Sequence, residues 1–382
     1  MTEQKGKRLR LPAGLLGMLL LCPPVEIWIA GHTPGWAHTI VLDWRNVGEA
    51  SVRETKDCSF LAFGSSMVKF GTLPTVIEAR SGRRGYNLSL LNGPPPASYF
   101  LFKRALDAGA TPQAVVVDFD HNRLEAPPSS PQFNYPWAEL LRPDEAFDLA
   151  LRARDPALFA RMMLSDALPS VARRHEVRAG VLAHLNGYPW SLDTIAAAFG
   201  TKPAFARNRR VNRGAVANIR RAPTERVIQN VGDVRTSDWH LDPVNSHYVR
   251  KFLALARSHG ITVYWLIPPV APWQLADYDR VHALDHYLDS VRRIVAADSN
   301  ARVLDGLGSH YPGTVFNDHV HLNANGAIVL SASIARVLAD ASKPGPWIPL
   351  PDYDANLLTD VVEDIGRSEL ILKEEIAATA QK

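Results

Sequence analysis

Five short apolar runs constrain this chain most. They are CSFLAF (58–63), RGYNLSL (84–90), AVVVDF (114–119), ITVYWLI (261–267) and ARVL (301–304). A strand with one wet face alternates apolar and polar residues. A near-continuous apolar run instead suits a strand covered on both faces, as in parallel sheets. Helical patterns separate most of the runs. Residues 97–109 carry apolar positions at helical spacing and stop at Gly109, a natural C-cap, and residues 245–260 repeat the pattern and stop at Gly260. Residues 323–341 form a third helix, with Asn323 as a plausible N-cap. Strands alternating with helices predict right-handed βαβ units and a doubly wound α/β sheet.

Residues 125–235 break this rhythm and read as a mostly helical insertion between the third and fourth strands. Between Arg173 and Arg226 there are eleven Lys or Arg against three acids. Such a stretch is either a solvated surface or a basic face for an anionic polymer, a lipid head group or a partner. Residues 346–382 form an acidic tail, with an amphipathic helix expected over 357–376. The whole chain carries a formal charge of only +3, which gives no ground for a nucleic-acid partner. The two cysteines, Cys22 and Cys58, are not expected to pair.

At the N-terminus, KGKRLR (5–10) precedes the apolar stretch LPAGLLGMLLLCPPVEIWIAG (11–31). A basic flank before an apolar run is the pattern of a signal anchor or a secretory signal. No small-x-small cleavage site is visible, and Pro23, Pro24 and Glu26 follow the apolar core. The expected arrangement is a segment 1–31 that tethers or exports the chain, with the body outside the cytoplasm. The alternative is a soluble N-terminal helix.

In an open α/β sheet, ligands bind at the carboxyl ends of the strands. There the first strand ends on Gly64, Ser65 and Ser66, the second on Ser89, Asn92 and Gly93, and the third on Asp118, Asp120, His121 and Asn122. Near the last helix, FNDHVHLNANGA (316–327) brings Asp318, His319 and His321 together. A serine hydroxyl is a poor nucleophile until a base takes its proton, and histidine is the usual base when a carboxylate holds its other nitrogen. Asp318 and His321 are close enough in sequence for one tight turn to set them side by side. A serine at a strand–helix turn also has backbone N–H groups nearby for an oxyanion.

This combination resembles the SGNH (GDSL) hydrolase superfamily. GSS (64–66) is similar to that family's first block, with Ser65 where the family has Asp and Ser66 at the nucleophile position. NDHVHLNANGA (317–327) is similar to its last block, which implies Asp318 as orienting acid and His321 as base. In YNLSLLNG (86–93), Ser89 falls where the family has an oxyanion glycine. In DFDHNR (118–123), Asn122 matches the oxyanion asparagine, while Asp120 and Arg123 replace a Gly and an Asp. The resemblance covers about residues 55–123 and 245–340. It implies a three-layer, flavodoxin-like parallel sheet over residues 55–345, interrupted by the insertion.

The first block, the N-terminal segment and the insertion look most like the membrane-anchored branch that O-acylates surface polysaccharides. That likeness implies an acyl-ester hydrolase or O-acyltransferase with no metal and no organic cofactor. Its partners would be a carbohydrate or acyl-ester substrate, the membrane, and an acyl-supplying membrane protein. A non-catalytic polysaccharide-binding or export scaffold of the same fold is the competing expectation. His319, His321 and Asp318 as metal ligands form a weaker alternative. Trp239, His240 and Asp242 could line a cleft, though a packed Trp and a capping Asp are the simpler reading, and IPPVAPW (267–273) is expected to shape the cleft wall.

With Lys5, Lys7, Arg8 and Arg10 ahead of the apolar run, residue 1 should lie in the cytoplasm and residues 32–382 outside it. Alkaline phosphatase fused at the C-terminus should therefore be active in cells. A fusion whose reporter works only in the cytoplasm would contradict this topology.

Overall fold

The computed structural model describes residues 13–31, 39–130, 133–168, 185, 203–229, 239–340, 345–359 and 362–380. Six strands form one all-parallel sheet: β1 (Phe60–Phe63), β2 (Gly85–Asn87), β3 (Ala114–Val117), β4 (Thr262–Ile267), β5 (Ala301–Asp305) and β6 (Trp347–Pro349). Their order is β2-β1-β3-β4-β5-β6, which is the order of flavodoxin-like sheets with one strand added. β6 comes from the segment assigned to the acidic tail. It is three residues long and ends on the exposed Pro349, so it leaves almost no apolar signature in the sequence.

β1 and β3 are apolar throughout, and β4 and β5 mostly so, because each face of the sheet meets its own core. Leu61, Phe63, Val115, Val117, Val263, Trp265 and Val303 point into one cluster. Phe60, Ala62, Ala114, Val116, Leu266 and Leu304 point into the other. This is the period-2 alternation of a pleated strand with both sides dry. The helices Pro95–Asp107, Pro243–Ser258 and Asp285–Ala296 line the first face. The helices Pro74–Ser81 and Ala324–Ala339 line the second. Asn323 caps Ala324–Ala339, its side chain accepting from the N–H groups of Asn325 (3.0 Å) and Gly326 (3.2 Å).

The span expected to be an insertion is woven into these layers. Phe133, Trp137, Leu140, Leu149, Leu158 and Met162 belong to the first core, and Ala215 and Ala217 to the second. Residues 213–218 act as a brace. The Arg213 carbonyl accepts from Asn87 N–H (2.9 Å), Val216 N–H donates to the Lys69 carbonyl (3.0 Å), and the Asn218 carbonyl accepts from Ala324 N–H (3.1 Å). The brace has no apolar run of its own, so it reads as loop in the sequence.

The basic stretch and the acidic tail also meet. The helix Pro203–Val211 packs on Ile365–Ala380, and Arg207 pairs with Glu363 (2.8 Å) and Glu375 (3.2 Å). Arg207 and Arg213 therefore do not form a free cationic face, because Arg213 pairs with Glu78.

The segment Ala13–Gly31 is helical, with Pro23, Pro24 and Glu26 inside it. Met18, Leu20, Leu21 and Ile27 are 61–74% exposed, so none of the described residues buries their side chains. Among the described residues no helix is long and apolar enough to cross a membrane.

One buried ion pair ties the N-terminal half together. Lys69 Nζ lies 2.8 Å from Asp43 Oδ1, and both side chains are fully buried. Burial pulls the Lys69 ammonium below its ordinary pKa, while the charge and hydrogen bond of Asp43 push it back up. Asp43 also accepts from Leu91 N–H (3.0 Å), and Trp44 Nε1 donates to the Leu91 carbonyl (2.8 Å). Removing one partner strands a charge in the core, which costs about 3–5 kcal/mol. Lys69→Met should lose that much by urea unfolding, and Asp43→Leu/Lys69→Met should lose clearly less than the two single losses added. Strict additivity would show that the pair is not coupled.

Candidate active site

Four loops at the carboxyl ends of β1, β2, β3 and β4 meet the turn before the helix Ala324–Ala339. The loop after β1 is held from below. Ser65 N–H donates to Asp118 Oδ1 (2.5 Å) and Ser65 Oγ donates to Asp118 Oδ2 (2.6 Å). Ser65 Oγ in turn accepts from Met67 N–H (3.2 Å) and caps the short helix Ser66–Gly71. Ser66 thus begins a helix, in the first turn, where backbone N–H groups have no intrahelical partner.

The chain reaches this position only through glycines. Gly64 has φ +119°, and a Cβ there would sit 1.7 Å from Asp118 Oδ1. A Cβ on Gly93 would sit 2.4 Å from the Gly64 carbonyl, so these two loops touch backbone to backbone.

The hydroxyl of Ser66 meets the C-terminal turn. Ser66 Oγ lies 2.8 Å from His321 Nε2, and His321 Nδ1 lies 2.7 Å from Asp318 Oδ2. Asp318 Oδ1 accepts from the N–H groups of Val320 (3.0 Å) and His321 (2.9 Å), which closes the turn around the carboxylate. Phe70 meets the imidazole edge-on at 5.2 Å between ring centres. Burial pushes the Asp318 carboxyl up, but the hydrogen bond and charge of His321 and the two N–H groups outweigh it and bring the pKa down to about 2. A carboxylate ionised this firmly orients the imidazole and stabilises its protonated form.

The opposite happens at Asp118. Burial raises its carboxyl, the nearby charge of Asp120 raises it further, and the hydrogen bonds from Ser65 pull it back to about 7.

These groups open onto a pocket of about 170 Å³. Its polar side holds Ser66, His321, Asn92, Asp120, Asn122 and Arg123, and its apolar wall holds Ile267, Val270, Leu284, Leu307 and Val320. Asp120 caps the helix His121–Glu125 by accepting from Arg123 N–H (3.0 Å), which sets Asn122 in the first helical turn at the pocket mouth. Ile267, Pro268 and Val270 form the wall expected of the proline-rich turn.

Ser66, His321, Asp318 and Asn122 therefore come together, and Ser89 does not. Ser89 is fully buried, its N–H donates to Asn87 Oδ1 (3.0 Å), and its hydroxyl donates to the same oxygen. A donor already spent on a side chain cannot also hold an oxyanion, so the expected role of Ser89 is corrected. Asn92 borders the pocket in its place, in the left-handed region with φ +59°. The Asn-Gly pair at 92–93 is the signal that marks it, since Asn tolerates that conformation and Gly permits the close approach.

His319 also turns away. Its Nδ1 accepts from Trp273 Nε1 (2.8 Å), and among the described residues no group of three or more His, Cys, Asp or Glu is placed to hold a metal. Trp239 packs, with Nε1 donating to the His121 carbonyl (2.8 Å), and Asp242 caps the helix Pro243–Ser258.

Asn87 is a supporting residue with no sequence signal. Its amide donates to the carbonyls of Val68 (3.0 Å) and Thr72 (2.8 Å), which closes the C-terminal end of the helix that begins at Ser66.

No protein-family model matches the chain, and no curated protein matches it.

Two outcomes follow from the Asp118 clasp. Ser65→Ala strands a buried acceptor as well as removing a cap, so it should cost about 1–3 kcal/mol. The second concerns pH. An ordinary Asp titrates at 3.8, so between about pH 4 and 7 the folded chain keeps a proton that the unfolded chain has lost. The Asp118 contribution to stability must fall as pH rises through that window. Asp118→Asn, which mimics the neutral acid, should gain on wild type as pH goes from about 5 to 8 in paired urea titrations. A constant difference across that range would contradict the raised pKa.

Proposed function

We propose that this chain is an SGNH-type serine enzyme that forms or cleaves acyl esters of a cell-surface carbohydrate outside the cytoplasm. The observation that carries the reading is the unbroken line from Ser66 Oγ through the His321 ring to Asp318, with 2.8 Å and 2.7 Å links. Ser66 and His321 are 255 residues apart, so the fold rather than local chain geometry supplies their contact.

In this reading Ser66 Oγ attacks the ester carbonyl while its proton passes to His321 Nε2. Asp318 stabilises the resulting imidazolium. The Ser66 N–H and the Asn122 side-chain amide hold the negative oxygen of the tetrahedral intermediate. Collapse expels the alcohol, which takes the proton back from His321, and leaves an acyl group on Ser66. Water or a carbohydrate hydroxyl, deprotonated by His321, then attacks the acyl-serine and regenerates the enzyme. Water as acceptor gives hydrolysis, and a sugar hydroxyl gives transfer. The small apolar wall suits a short acyl chain. The exposed apolar helix 13–31 and its basic flank support a tether to the membrane, where an acyl-supplying membrane protein would be the partner.

The competing reading is a non-catalytic scaffold that binds polysaccharide. It draws on Ser89, whose N–H is unavailable, leaving fewer oxyanion donors than the family pattern implies. Turnover separates the two readings. Wild type should hydrolyse 4-nitrophenyl acetate faster than the octanoate ester and should react with a fluorophosphonate probe. Ser66→Ala should lose both activities with its melting curve preserved. His321→Ala should lose about as much as Ser66→Ala, the double variant no more than either, and Asp318→Asn less, because residues acting as a unit do not add. An unlabelled wild type without esterase turnover would leave the scaffold reading standing.

A further inference from the structure

A second pocket, of about 650 Å³, opens beside the first residues of β2. Because the strands are parallel, this is the end of the sheet opposite Ser66. Its wall carries Arg53, Arg84, Arg207, Arg209, Arg210 and Arg213, against two carboxylates, Glu49 and Glu54. Three of the arginines are already partnered. Arg53 pairs with Glu49, Arg207 with Glu363 and Glu375, and Arg213 with Glu78. Among the described residues no carboxylate pairs with Arg84, Arg209 or Arg210, and Arg209 Nη1 is buried without any hydrogen bond. A buried guanidinium N–H with no acceptor is costly, and like charges gathered in one concavity repel.

We infer that this pocket is a binding site for a phosphate-bearing anion, either a free phosphate compound or a lipid headgroup. Guanidinium groups match phosphate oxygens with paired, charge-assisted hydrogen bonds, and several converging arginines favour a doubly charged oxyanion over a single carboxylate. The volume lies within the usual range for small-molecule sites. Tyr86, Ala50 and Leu372 add an apolar lining on which the remainder of such a ligand can rest. The pocket also borders the helix Thr39–Arg53, the next described element after the exposed apolar helix 13–31, so a headgroup at a membrane surface is within its chemistry. The site does not depend on the reading of Ser66, because it uses none of the same residues.

The test is isothermal titration of the purified full chain, in neutral detergent and low salt, with sodium pyrophosphate. Wild type should bind one equivalent saturably and more weakly as sodium chloride rises. Arg209→Gln/Arg210→Gln should weaken Kd at least tenfold. Arg209→Lys/Arg210→Lys should fall between the two, since it keeps the charge and loses the fork. Arg280→Gln, remote from the pocket, should bind like wild type. Pyrophosphate should raise the melting temperature of wild type and leave that of the Gln variant unmoved, which separates a lost site from a lost fold.

Flotation on phosphatidylglycerol vesicles against phosphatidylcholine vesicles distinguishes the sources. Preferential flotation that the Gln variant loses assigns a headgroup, and pyrophosphate binding without it assigns a free phosphate compound. Equal pyrophosphate affinity in wild type and the Gln variant, or no heat at millimolar pyrophosphate, would overturn the site.

Discussion

The hydrogen bonds between Asp118 and Ser65 are the constraint on which the site rests. Asp118 stands just past the end of β3, in the centre of the sheet, and reaches across to the loop after β1. By holding both the N–H and the hydroxyl of Ser65 it fixes the turn that starts the next helix, and so fixes where Ser66 points. The space it occupies is the space a side chain at Gly64 would need, so the glycine and the carboxylate are one device. Its cost is a buried acid with raised pKa, the kind of local instability that proteins tolerate where position matters more than stability.

Around that clasp the structure adds supports from distant parts of the chain. Asn87 closes the far end of the helix Ser66–Gly71, Asp43 pairs with Lys69 on it, and residues 213–218 run between it and the turn that carries His321. Together with Asp118, four segments therefore hold a helix of six residues, which has little stability of its own. The Ser66–His321 contact is then a consequence of how the layers pack, rather than a local accident of sequence. The tail and the basic helix fit the same pattern, because Arg207 pairs with Glu363 and Glu375, while Arg209 and Arg210 remain at the β2 pocket.

Most of the scaffold was legible because its cause is local. A strand buried on both faces has to be apolar, and β1, β3, β4 and β5 announce themselves that way. The order of Ser66, Asn122, Asp318 and His321 along the chain was equally readable, since each follows an element end. What escaped depends on contacts that sequence does not carry. Ser89 was a reasonable oxyanion donor until Asn87, two residues earlier, took its N–H. β6 is too short to leave a pattern. Residues 213–218 and Lys69 look like loop and surface, and only their partners, Asn87 and Asp43 among them, make them structural. The charge count over 173–226 left a solvated surface and a basic face both open, since it could not say which arginines already have a carboxylate.

The central claim is that Ser66 carries an acyl group during turnover. Rapid-quench mass spectrometry after mixing with 4-nitrophenyl acetate measures this directly, with peptide mapping to place the modification. The prediction is one acetyl group per chain, on the peptide bearing Ser66 and at that hydroxyl, formed in a burst and absent from Ser66→Ala. Nitrophenol release with no acylated Ser66, or with the acetyl group on another residue, would contradict it.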